Sequence, residues 1–143
     1  MSAITDAREA IIGILKADSA VAALVGTRVF GDELPRSETD NQARKAVVIS
    51  PGGGSPPSYT TATLPLEGAR IDVFCYGESP YQAEVARRTV YGALKGVQRV
   101  TQGNVLVHWV RPAGGAASGR DPNTDWPVKW NSWQYLADER AVA

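Results

Sequence analysis

The spacing of apolar residues changes period between Arg70 and Gly96, and every local signal there agrees. Ile71, Val73 and Cys75 alternate with Asp72, Phe74 and Tyr76, which predicts a strand with two chemically different faces. Gly77 and Glu78 turn the chain. Ser79 is placed to cap a helix, Pro80 suits its first position because the missing N–H would be unpaired there, and Gln82 completes an S-x-x-Q capping box. Ala83, Ala86, Val90, Ala93 and Leu94 recur at helical spacing with Val97 just beyond, leaving Glu84, Arg87, Arg88 and Lys95 for water or a partner. Gly96 is expected to end the helix as a left-handed residue. Burying each large apolar side chain contributes about 1.5–3 kcal/mol, so strand and helix need a sheet to pack on.

The same patterns place the other elements. Ile4, Ala7, Ile11 and Ile14 share one face of a first helix over residues 4–16, and Asp18 or Ser19 can cap a second short one that Gly26 ends. Arg28 to Phe30 is extended, and residues 31–45 are polar and aperiodic. Ala46 to Ser50 is a continuous apolar run that fits a central strand. Residues 51–65 are rich in glycine, proline, serine and threonine, with Tyr59 as the one large anchor, and a loop of that length is usually functional or disordered. Val97 to Thr101 and Val105 to Val110 read as a hairpin around Gln102-Gly103-Asn104, with Val105, Val107 and Trp109 facing one way and Leu106, His108 and Val110 the other. A second glycine-rich loop, 111–127, precedes a last strand over about Val128 to Ala141. There Val128, Trp130, Ser132, Gln134 and Leu136 alternate with Lys129, Asn131, Trp133 and Tyr135, so both faces are aromatic. Helices on one side cannot cover both, which points to a subunit interface on the other, through Trp130, Trp133 and Tyr135. Helices first and then strands around one inserted helix predict an α+β fold with a mainly antiparallel sheet, the helices packed on one face.

Composition narrows the function classes. At 143 residues the chain is expected to form a single domain over 1–143. Lysine plus arginine equals aspartate plus glutamate, 15 of each, so no basic excess points to duplex nucleic acid. Four tryptophans could stack single-stranded bases, which keeps a single-strand nucleic-acid binding module as a rival, although core packing explains them equally well. No apolar run reaches the ~20 residues of a membrane span and no signal-peptide layout opens the chain, so synthesis and assembly in a reducing cytoplasm are expected.

Candidate chemistry is thin. Cys75 and His108 are each the sole residue of their type and could meet on adjacent strands as a nucleophile and base, but no nucleophile elbow is present and a buried thiol is the simpler reading. Gly114 to Asp121 has the glycine spacing of a phosphate loop yet continues with Arg120 and Asp121 where lysine and a hydroxyl are needed. Asp121, Asn123 and Asp125 begin like a calcium loop, but Trp126 replaces the required glycine and Ser132 the bidentate glutamate. A zinc site lacks four nitrogen or sulfur ligands. No catalytic, cofactor-binding or metal residue is assigned, and no enzyme is expected.

The order of elements resembles the phage tail-terminator, or tail-completion, family of siphophages and gene-transfer particles. Four stretches carry the likeness: the N-terminal helix with DSAVAALVGTRVFGDELP, the strand AVVIS, the unit RIDVFCYGESPYQAEVARRTVYGALKG, and the end RDPNTDWPVKWNSWQYLADERA. The chain departs from the family at Trp126, where a glycine is usual, and in the length of loops 31–45 and 51–65. The resemblance implies a hexameric ring at the head-proximal end of the virion tail. Such a ring caps the tube of tail tube protein, ends its polymerisation, meets a head-completion or neck protein, and lets DNA pass through its lumen. A head-completion ring protein is the nearest alternative. Loops 51–65 and 111–127 are expected to make the partner or inter-ring contacts, through Tyr59, Arg111, Arg120 and Trp126.

Overall fold

The computed structural model describes residues 7–35, 43–53, 66–102, 105–122 and 124–138. Expectations that fall on Ile4, Tyr59, the Gly103-Asn104 turn, Asn123 and residues 139–141 lie outside the described residues, as do 36–42 and 54–65 of the two predicted loops.

The order is α1 (Ala7–Ala17), α2 (Ser19–Val25), β1 (Val29–Gly31), β2 (Ala46–Gly53), β3 (Leu66–Tyr76), α3 (Pro80–Lys95), β4 (Gln98–Gln102), β5 (Val105–Pro112), β6 (Ala117–Arg120) and β7 (Pro127–Asp138). Asp18, rather than Ser19, caps α2: its carboxylate accepts from the Ala20 N–H at 3.0 Å and the Val21 N–H at 3.1 Å. Ser79 caps α3 as its sequence predicts, its hydroxyl accepting from the Gln82 N–H at 3.2 Å. Gly26 leaves α2 at φ 61°, the left-handed conformation that favours glycine.

Gly96 behaves differently from the expectation. It stays right-handed at φ −84°, and the Val97 N–H bonds to the Leu94 carbonyl at 3.0 Å. The last turn of α3 therefore tightens, and the left-handed step falls at Arg99 (φ 53°) inside β4.

The seven-stranded sheet runs β1-β2-β3-β7-β5-β4, with β6 pairing β7 in line with β5. Only the β1–β2 pair is parallel, so the fold is α+β on a mainly antiparallel sheet. All three helices pack on one face, where Ile11, Leu15, Val25 and Leu94 meet Ile49, Ile71, Val73 and Trp133. The alternation along β7 is as predicted, with Trp133 and Tyr135 on the helix side and Val128 and Trp130 opposite.

Two strand-level expectations are corrected. In β5 the register steps from Val107↔Ala137 to Trp109↔Leu136, leaving His108 unpaired in a β-bulge. One extra residue inverts the parity beyond it, so Val110 enters the helix-side core at 4 % exposure and Trp109 turns to the far face with Leu136. The segment 111–127 is likewise not all loop, because Ala117–Arg120 pairs with Pro127–Trp130 as β6.

Candidate functional site

The face of the sheet opposite the helices carries the surface most suited to recognition. Phe74 of β3 lies beside Trp130 of β7 with ring centroids 5.8 Å apart, and Tyr76 meets Trp126 edge-on at 6.1 Å. These rings pack with Ala46, Val48 and Val128 into a second apolar cluster that none of the described helices covers. Farther along, Ser132 donates to Asp72 at 2.5 Å, and beyond it the Arg111 guanidinium stacks 4.1 Å above the Trp109 ring. Trp109 and Arg111, two apart on β5, share a face by strand alternation, and the bulge at His108 turns that face away from the helices.

Beside the aromatic cluster opens a cleft of about 780 Å³ whose walls include Asp32, Glu33 and Asp121 and whose floor includes Phe74 and Tyr76. The Tyr76 hydroxyl donates to Asp121 at 3.0 Å, and burial, then the neighbouring carboxylate, raises its pKa. Asp121 also accepts from the Thr124 N–H at 3.1 Å, and the Arg120 guanidinium donates to the Asp125 carbonyl at 2.8 Å. The suspected calcium turn is thus laced to itself. Among the described residues no group of three or more histidine, cysteine, aspartate or glutamate side chains is placed to hold a metal ion. The phosphate-loop candidate is occupied by β6 and leads into a turn and β7 rather than a helix.

Cys75 and His108 do not meet. β7 runs between their strands, pairing Cys75 with Lys129, while His108 sits in the bulge on the far side. The thiol is 1 % exposed, and burial, opposed by the Arg87 charge, pushes it up to about 12. Its folded value lies above the unfolded one. The stability contributed by the protonated thiol is therefore complete below about pH 9 and drains away as pH rises toward 12. In the native protein at pH 8, Cys75 is expected to resist a disulfide reagent that labels it at once in denaturant; prompt native labelling would contradict this burial.

The predicted contact residues separate into two groups. Arg111 and Arg120 are exposed, and Trp130 is half-buried on the uncovered face. Trp126 is 5 % exposed, and Trp133 and Tyr135 are 0 % and 2 % exposed within the helix-side core, so their rings are spent inside the chain's own packing. Tyr59 lies outside the described residues.

Against that geometry, one solved structure matters: "Virion of native gene transfer agent (GTA) particle". A chain of that particle superimposes with a TM-score of 0.64 at 21 % identity, over 92 % of this chain and 93 % of that one. The two share a fold. No family model matches the chain, and no curated protein does.

Several features had no visible signal. Glu84 and Arg87, expected to face water or a partner, are 21 % and 16 % exposed, and the Arg87 Nε donates to Glu84 at 2.8 Å. Lys129 of β7 approaches the same carboxylate at 3.5 Å, and the Arg87 guanidinium foremost holds Glu84 below the usual carboxylate range. That cluster ties α3 to the sheet. Arg88, 77 % exposed, and the exposed Lys95 behave as the solvated residues expected of that face. Tyr81, 73 % exposed, is the exposed large apolar side chain among the described residues.

Proposed function

We propose that the chain is a structural, non-enzymatic virion protein. In this reading it is a one-domain subunit that closes into a ring, hexameric as in the tail terminators it resembles, at the head-proximal end of a tail. The ring caps the tube, ends its polymerisation, presents a surface to a head-completion or neck protein, and leaves a lumen for DNA. The observation that carries the reading is the fold shared with a chain of a gene-transfer-agent virion across nearly the whole of both. The uncovered aromatic face supports it, because a sheet with apolar rings on both sides needs more cover than three helices on one side provide.

Closure is the physical requirement. A head-to-tail interface that failed to close would build filaments, whereas a closed ring presents two ends with different partners. Trp130 is the subunit-interface residue with surface to offer, and Arg111 and Arg120 are the partner contacts. Trp126, Trp133 and Tyr135 act from inside, shaping the sheet that carries them.

The solution mass, measured by light scattering after size exclusion across concentration and with or without purified tail tube, tests the proposal. A hexamer, free or formed on the tube, is expected. A monomer indifferent to the tube at every concentration would overturn it.

A further inference from the structure

Among the described residues the sheet has three strands with an outer edge, and they are not alike. β1 has spent two of its outward groups: the Val29 N–H bonds to the Thr27 carbonyl at 2.9 Å, and the Gly31 carbonyl accepts from Glu33 at 2.8 Å. β4 is broken by Arg99, which is left-handed and has no register partner on β5. Both carry the kind of guard that blunts an edge against further pairing.

β6 carries none. Its residues Ala117, Ser118, Gly119 and Arg120 are all exposed, without proline or a left-handed residue. Its parity is fixed at one end, where the Asp121 N–H bonds to the Trp126 carbonyl at 3.0 Å. It is fixed again by Pro127, which has no N–H to give to Arg120 and whose carbonyl accepts from Gly77 at 3.2 Å on the other side of β7. Ala117 and Gly119 therefore bond to β7, and the N–H and C=O of Ser118 and Arg120 point away from the sheet. Trp130 covers Gly119 on one face of this edge, its ring 3.6 Å from where a Cβ would stand.

On the other face lies a groove of about 290 Å³ lined by Ser118, Arg120, Pro80, Pro127 and Lys129, with Tyr81 following Pro80 at the exposed start of α3. Both charged residues of that lining are basic, although Lys129 leans 3.5 Å from Glu84. An open ladder, an exposed aromatic residue and a basic groove together describe a strand-addition site.

We infer that β6 receives an extended, carboxylate-bearing segment of a partner protein, which adds a strand through Ser118 and Arg120 and sets an acidic side chain beside Arg120. The site stands on backbone geometry, so it holds or fails separately from the ring.

The test uses the full chain and blocked peptides of about eight residues that alternate valine with glutamate. The amide exchange of Ser118 and Arg120 is followed by NMR. Added peptide is expected to slow exchange at both amides, with binding weakened by salt and weakened at least about tenfold by backbone N-methylation or by replacing glutamate with lysine. Ser118→Pro removes an outward N–H while leaving the bonds of Ala117 and Gly119 to β7, and is expected to weaken binding at least about tenfold. If that variant does not fold, Arg120→Glu takes its place and is expected to reverse the preference toward the lysine peptide. No protection, or protection indifferent to N-methylation, would overturn the site. Protection that appears in the chain alone as its concentration rises would overturn the proposed occupant in favour of a second copy.

Discussion

Replacing Gly77 by alanine is expected to remove most of the soluble protein, or to cost about 3 kcal/mol or more where enough survives for urea unfolding. A Cβ at this position would stand 2.3 Å from the Ala83 nitrogen, 2.7 Å from the Gln82 carbonyl carbon and 2.8 Å from the Ala83 Cα. Those atoms are backbone in the first turn of α3, so no rotamer change relieves them. The helix itself must move. It is held by Ala83, Ala86, Val90 and Leu94 in the core and by the Glu84–Arg87–Lys129 cluster, while the Gly77 N–H is fixed to Pro127. Gly92→Ala on the same helix supplies the opposite sign, because its Cβ would meet nothing within 4 Å and an exposed helical glycine costs about 0.8–1 kcal/mol against alanine. Equal unfolding curves for the two variants would refute the close approach.

Gly77 also shows where sequence reading stops. Its place in a turn was legible from the strand before it and the Ser79-Pro80 start after it. That the turn brings the helix within contact of its own carbonyl-bearing strand end was not, because closeness in space leaves no periodic trace. The caps at Asp18 and Ser79, the helix faces and the alternation along β7 were readable because each depends on residues a few positions apart. The bulge at His108 was not: β7 decides it from a distant part of the chain, and one unpaired residue exchanged Trp109 for Val110 in the core. β6 escaped for a related reason. Ala117 to Arg120 has almost no strand propensity and is extended because β7 offers it a ladder. The uncovered face was legible to the same degree. An uncovered aromatic face followed from β7 alone, but which aromatic residues keep surface depends on packing, which kept Trp130 and consumed Trp126, Trp133 and Tyr135.

Trp133 gives the second large effect, and a pair of substitutions separates its parts. The ring is fully buried between the sheet and α3, with the Tyr91 ring centroid 5.0 Å away. Its neighbours across the ladder are Ile71 on β3 and Pro112 on β5, so it fills the centre of the helix-side layer. Trp133→Ala is expected to lower stability by about 3–5 kcal/mol, the range for emptying a large aromatic site that cannot collapse. The indole N–H acts against that loss. Its nitrogen is buried without a hydrogen-bond partner, a state that costs about 1–3 kcal/mol for a polar group. Trp133→Phe removes the orphaned donor together with part of the ring, so relief of the first offsets the void left by the second. A loss below about 2 kcal/mol is expected for it. Thermal and urea unfolding of the two variants beside the parent chain decides the matter. A phenylalanine variant as unstable as the alanine one would mean that the N–H carries the site and has a partner after all.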